Sequence, residues 1–223
     1  MNIVKDVSGV NPRPYRSPKR AEQAAVTRTA ILDAAAKLFG DSGYTTTTTA
    51  AVARDAGVSE AMVFAVFGSK AGLLGALIDR AVTPGEGSSA LASTAGWSEA
   101  LDAGGPTSAV RRFVELVATI QQRTWKLIEL ARTASDGDEG MAELLRHGAE
   151  NRRADCRNFI SSAVVDALRD DRTVEQATDI LWAYTSSEIY RLMIDGAGWH
   201  HDEYVNWLGD TLATALFRHP ASA

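Results

Sequence analysis

The groups able to meet a polyanion crowd into one end of this chain. Arg13, Arg16, Lys19 and Arg20 form a basic run among Pro12, Pro14 and Pro18. Threonines fill positions 45–49, and their hydroxyls can cap a helix or reach a phosphate oxygen. Lys70 follows within the same stretch. The chemistry these types offer is contact rather than bond breaking. There is no phosphate-cradling Gly-rich loop, no nucleophile-elbow serine and no paired-histidine zinc motif. His147, His200, His201 and His219 have no metal-ligand spacing to one another, and His200-His201 reads as a helix start after Trp199. Cys156, the single cysteine, sits in a helical stripe and reads as a small core residue. The expectation is a protein that is not an enzyme and holds no metal and no cofactor.

Charge has the same polarity along the chain. The 223 residues carry 23 Lys/Arg and 28 Asp/Glu, a net charge of −5. Residues 1–80 hold 10 basic and 7 acidic side chains, or +3, and residues 81–223 hold 13 and 21, or −8. Only the front is suited to a polyanionic partner. One cysteine excludes an internal disulfide framework and fits a reducing cytoplasm. The first residues lack a signal-peptide core, and no run reaches the ~20 apolar residues of a membrane span. The reading is a soluble, cytoplasmic chain.

The elements that must position these groups are short helices. Residues 1–23, with three prolines and few large apolar groups, read as a disordered basic arm, placed to enter a minor groove. Ile31, Leu32, Ala35, Leu38 and Phe39 recur on one helical face within a helix over 24–40. Thr47 or Thr48 caps a second, alanine-rich helix that Gly57 stops. Ser59 caps a third helix, with Val58, Val63 and Phe67 inward and Glu60, Ala61, Met62, Phe64 and Val66 outward. Two helices around a Gly-containing turn are the helix-turn-helix unit, whose second helix enters the DNA major groove. The outward face has almost no donors, so readout of guanine by Arg or Lys is closed to it. Thymine-methyl contact, shape, and phosphate contacts from Thr47, Thr48, Thr49 and Lys70 remain. A competing reading gives that apolar face to a protein partner, with DNA binding weak or lost.

The run Arg28-Thr29-Ala30-Ile31-Leu32-Asp33-Ala34-Ala35-Ala36-Lys37-Leu38-Phe39, then Gly43-Tyr44, Thr47-Thr48, Val52-Ala53, Ala56-Gly57-Val58-Ser59, Phe64, Phe67, Ser69-Lys70 and Leu73-Leu74, closely resembles the DNA-binding domain of the TetR family of bacterial transcriptional regulators. The resemblance covers about residues 24–75. It implies an all-α fold: a three-helix N-terminal helix-turn-helix domain, then a larger C-terminal domain over 76–223 that binds an effector and dimerises. It places Thr27 and Arg28 at phosphate. It also implies that a fourth helix, to about Val82, links the two parts. The chain departs from the family where Ala61-Met62-Val63-Phe64 replaces the common Gly-Thr-Leu-Tyr, which removes a phenol hydroxyl that would meet a phosphate.

Beyond the Gly/Ser-rich stretch at 84–89, the pattern stays helical. A short helix is expected near 98–102, a helix from 107 with a possible break at Arg123, a long one over 139–169, one from Val174 to Leu192, and a last one from Tyr204. The last two resemble the pair that dimerises TetR-family proteins as a four-helix bundle. Phe113, Trp125, Trp182, Tyr184 and Glu188 are the candidates to line an effector pocket. A buried Glu188 would favour a cationic or hydrogen-bonding ligand. The expected whole is a homodimeric regulator, most simply a repressor of a palindromic double-stranded DNA operator, released by a small apolar or amphipathic effector. The competing whole is a helical ligand- or protein-binding module.

Overall fold

The computed structural model describes residues 18–84 and 91–218. Among them it is all-α, with one isolated antiparallel bridge between Leu168 and Phe217. The first helix, α1 (Pro18–Ser42), begins earlier than the sequence pattern predicts. Pro18 opens it rather than preventing it. At a first helical position the missing N–H has no partner to lose, and the fixed φ already suits a helix. Lys19 and Arg20 are therefore exposed helical residues, not part of an extended arm, while Arg13 and Arg16 lie outside the described residues.

Three short helices follow, each set by a hydroxyl cap. Thr48 accepts the Ala51 N–H at 3.1 Å to start α2 (Thr49–Asp55). Ser59 accepts the Met62 N–H at 3.2 Å to start α3 (Glu60–Phe67). Ser69 accepts the Gly72 N–H at 2.9 Å to start α4 (Lys70–Val82). Such caps satisfy first-turn donors that no helix can satisfy internally. The turns between them need left-handed backbone at Gly57 (φ 67°) and Gly68 (φ 73°), which a side chain would strain.

The body comprises α5 (Ala95–Leu101), α6 (Pro106–Ala134), α7 (Glu139–Phe159), α8 (Val174–Tyr184), α9 (Ser187–Arg191) and α10 (His201–Leu216). Three expected boundaries differ. α6 has no break at Arg123, because that side chain leaves the helix to donate to the carbonyls of Ala81 (2.8 Å) and Val82 (3.2 Å) at the end of α4. The helix expected over 139–169 ends as α7 at Phe159 and continues as a wider π-type turn and a tight 3₁₀ turn. There the Arg169 N–H finds the Leu216 carbonyl at 3.0 Å instead of a helical partner. The helix expected over 174–192 splits at Thr185-Ser186. Gln121 donates to the Thr185 carbonyl, and Ser186 caps a new helix through the Ile189 N–H at 3.3 Å.

Two apolar cores result. Ile31, Leu32, Ala35, Phe39, Val52, Val63, Leu73, Leu74 and Leu77 are buried together with Ala131 of α6 and Met141 of α7. Leu38, Val58 and Phe67 pack at its margin. The N-terminal helices thus share their core with the body, and the division placed at residue 75 falls within α4. The second core gathers Trp97, Phe113, Val114, Cys156, Phe159, Leu181, Tyr204 and Leu212. No single described helix is long and apolar enough to cross a membrane.

Leu73 is fully buried, whereas Val26 is 58% exposed on α1. Leu73→Ala is expected to lower unfolding free energy by about 2–5 kcal/mol, as deleted core methyls leave a cavity. Val26→Ala should stay within about 0.5 kcal/mol. Chemical denaturation of both variants checks the pair, and equal effects would contradict this core.

Candidate nucleic-acid interface

The outward face of α3 is mostly as the sequence predicts. Glu60 and Ala61 are exposed, and Met62 and Phe64 rank among the exposed large apolar side chains at 44% and 45%. Val66 is a correction: it is half-buried, because it lies three residues from the buried Val63 and shares its helical side. Ala65 is exposed instead. The face therefore offers two methyls, a thioether and a phenyl ring, with one carboxylate at its start.

Glu60 is not free at that start. Its Oε1 accepts the Thr49 hydroxyl at 2.5 Å, which ties the beginnings of α2 and α3 together. Thr49 is thereby occupied, and Thr48 spends its hydroxyl on the cap. Thr47 is a plain correction. It is buried, and its hydroxyl lies 3.0 Å from the Leu38 carbonyl and 2.9 Å from the Gly43 carbonyl. It fastens the end of α1 and has no exposure with which to meet phosphate.

The cations divide in the same way. Arg28 is exposed, with its guanidinium 4.6 Å from the centroid of Phe67, the last residue of α3. Thr27, beside it, is half-buried. Lys70 is half-buried, with Nζ 4.1 Å over the Tyr44 ring. Burial lowers its pKa, while the nearby Asp138 carboxylate opposes that shift. Tyr44 in turn donates to Asp138 Oδ2 at 3.0 Å, and burial first, then Asp138, raises the phenol's pKa. Asp138 Oδ1 caps α7 through the Met141 N–H at 3.1 Å. Lys70 is thus drawn into a contact between the N-terminal helices and the body. Lys19, Arg20, Arg28 and Arg54 are exposed, and none has a carboxylate within ion-pair distance among the described residues. Arg54, in the last turn of α2, was not among the sequence candidates, although a cation at a helix end is a visible signal. Lys37 is paired with Asp55 at 3.3 Å.

The five effector candidates do not surround one cavity. Phe113 is stacked on Phe159 at 4.3 Å and is core. Tyr184 is exposed, and Trp125 is half-buried with Lys126 Nζ 5.4 Å over its ring. Glu188 is exposed and bonded to Arg132 at 2.5 Å, so it is no buried acid awaiting a cation. Its position on an apolar stripe is undone by the split at Thr185-Ser186, which rotates it outward. Trp182 is half-buried, donates to the Ala149 carbonyl at 3.2 Å, and carries Arg152 5.0 Å over its ring. Sequence reasoning missed the polar groups inside the body. Gln121, Thr124 and Thr185 are buried, the Tyr204 hydroxyl donates to Gln121 at 3.3 Å, and the Tyr190 hydroxyl lies 3.0 Å from His201 Nδ1. Burial pushes the Cys156 thiol up to about 11, which keeps it an unreactive core group at neutral pH. Among the described residues no group of His, Cys, Asp and Glu could hold a metal ion.

Thr47→Val should cost about 1–3 kcal/mol of stability, since the buried hydroxyl proton shared by the Leu38 and Gly43 carbonyls is lost. DNA affinity per folded molecule should be unchanged. Thermal unfolding combined with binding titration separates the two quantities. A loss of affinity at full stability would return Thr47 to the interface.

Comparison with known proteins agrees with this geometry. Residues 31–77 match the family model for bacterial regulatory proteins, tetR family. The chain is 29% identical over 183 residues to the probable HTH-type transcriptional regulator ArpR of Pseudomonas putida, covering 78% of this chain and 83% of that one. The fold is similar to that of NalD, the secondary repressor of the MexAB-OprM multidrug efflux pump in Pseudomonas aeruginosa. The TM-score is 0.64 at 20% identity, over 89% of this chain and 100% of that one. It is also similar to a putative transcriptional regulator from Saccharomonospora viridis in complex with choline, with a TM-score of 0.65 at 19% identity, over 87% and 100%. With α2, the Gly57 turn and α3 capped and held on α1 and α4, the matched segment is a tetR-type helix-turn-helix, and the chain is a TetR-like DNA-binding transcriptional regulator.

Proposed function

We propose that this regulator is a cytoplasmic repressor that binds a palindromic operator as a homodimer and is released by a small amphipathic effector. The observation that carries the reading is α3: a capped helix with Ala61, Met62 and Phe64 exposed and Val63 locked inward. The exposed side chains suit thymine methyls and groove shape rather than guanine. Affinity then rests on phosphate contacts from Lys19, Arg20, Arg28 and Arg54, with Arg13 and Arg16 as further candidates in the segment ahead of α1. Residues 18–75 form the reading unit, and residues 76–223 form the sensing and dimerising unit, with α8 and α10 as the pair that meets its copy. A two-fold axis places two α3 helices one DNA turn apart.

Release follows from α4. It packs against α1, α6 and α7, so a body state favoured by effector displaces α4 and with it the turn into α3. That is a population shift, limited by the effector's differential affinity for the two states. The comparison proteins favour this reading: NalD is named as a repressor, and the Saccharomonospora viridis regulator holds a small molecule. The exposed Met62 and Phe64 favour one other reading, a face that binds a protein and no longer reads DNA.

Selection of duplexes from a random pool by the purified chain decides between them. The expected product is an A·T-containing palindrome with half-site centres about 10 bp apart or a small multiple. No enriched sequence from folded, dimeric protein would overturn the repressor reading. On the recovered site, Arg28→Gln should weaken binding to all duplexes alike and reduce the slope of log K against log salt by about one. An unchanged slope would remove Arg28 from the phosphate contacts.

A further inference from the structure

α7 carries four arginines. Three are exposed or half-exposed and paired with carboxylates: Arg146 with Glu143 and Glu150, Arg153 with Asp179, and Arg157 with Glu175. Arg152 is built differently. It is half-buried, its Nη1 donates to the Trp182 carbonyl, and its guanidinium lies over the Trp182 ring. No carboxylate stands within ion-pair distance of it among the described residues. Glu188, the acid whose field reaches it, is held by Arg132 at 2.5 Å and by Ser187 at 3.2 Å. Burial lowers the Arg152 pKa, yet an arginine stays protonated at neutral pH. The field of Arg152 also reaches the buried Tyr204, whose hydroxyl is bonded to Gln121.

A cation drawn out of water costs free energy unless an anion answers it. α7 supplies carboxylates to its solvent-facing arginines and none to the one turned inward. A guanidinium fork with one N–H on a backbone carbonyl retains donors for a bidentate carboxylate. The indole below it gives an apolar surface for the rest of such a molecule.

We propose that Arg152 anchors the acidic group of the effector, which is therefore an amphipathic carboxylic acid. Its carboxylate takes the guanidinium donors that the Trp182 carbonyl leaves free, and its apolar part lies against the Trp182 ring. This rests on the body being the effector-binding unit, and it reverses the charge preference that a buried Glu188 would have given. It also sets this chain apart from its fold neighbour in complex with choline, a cation.

The test uses the full chain and matched probes: decanoate and 1-naphthoate, each against its primary amide. Calorimetric titration at pH 7 gives affinities, and tryptophan fluorescence follows Trp182 as its cation moves. The acids are expected to bind roughly tenfold to a hundredfold more tightly than the amides, the range for a charge-assisted hydrogen bond. In Arg152→Gln, which keeps a neutral hydrogen-bond donor but no charge, that ratio should fall to about one. Arg153→Gln, at an exposed ion pair, should keep it. Should Arg152→Gln fail to fold by circular dichroism, Arg152→Lys takes its place, with a reduced but surviving preference. Equal binding of acids and amides, no binding of either acid, or an undiminished preference in Arg152→Gln overturns the proposal. Duplex selection by the same preparation keeps the outcomes apart: an enriched palindrome with no acid preference rejects the effector class alone.

Discussion

The packing of α4 between the N-terminal helices and the body constrains everything else in this chain. Leu73, Leu74 and Leu77 are buried on it, and its close approaches are made through residues without bulk. A Cβ on Gly75 would meet Leu144 of α7 at 2.9 Å, and one on Gly140 would meet Ala71 at 3.4 Å. The far end of α4 is held by Arg123, which occupies the last carbonyls, and the near end by Lys70 over Tyr44. A helix fixed at both ends and along one side transmits displacement rather than absorbing it, because packed interiors are nearly incompressible. Gly68-Ser69 is the short joint between α4 and α3, so the orientation of α3 is a consequence of where the body holds α4.

Polar contacts reinforce that junction. Asp138 serves two segments at once: one oxygen caps α7 and the other accepts from Tyr44 in the turn after α1. Thr47 fastens the same corner through two carbonyls. These groups would look like surface chemistry in a linear reading, since threonine, tyrosine and lysine are common at phosphate. Here they hold the N-terminal helices on the body, and Arg28 and Arg54 stay exposed with no carboxylate at ion-pair distance among the described residues. The apolar character of α3 then has a physical consequence. A face without donors has no group with which to hydrogen-bond a base edge, and only methyl contact and groove shape are open to it.

The body follows a different logic. Its aromatic core of Trp97, Phe113 and Phe159 is closed, with centroids 4.3–6.3 Å apart. Beside it runs a polar seam through Gln121, Thr185, Tyr204 and Arg152. Buried polar groups cost stability unless each is answered, and here Gln121 answers both the Thr185 carbonyl and the Tyr204 hydroxyl. The break between α8 and α9 belongs to the same seam, because the Gln121 amide takes the Thr185 carbonyl that would otherwise serve a continuous helix.

Local rules made the front of the chain legible. Thr48, Ser59 and Ser69 cap where hydroxyls precede apolar periodicity, Gly57 and Gly68 turn where only glycine is relaxed, and Val63 is buried where its spacing puts it. Each of these depends on neighbours within about four residues, and that information lies in the sequence itself. The all-α class and the family followed from the same short-range pattern. What the sequence left open depended on partners far along the chain. Thr47 became structural because Leu38 and Gly43 turn their carbonyls to it, Glu188 became a surface ion pair because the helix before it breaks, and α6 stayed whole because Arg123 reaches α4. The sign of the charge inside the body was decided last of all. Whether an arginine faces water or an indole depends on which helix lies opposite, and only the packed tertiary structure brings Arg152 onto Trp182.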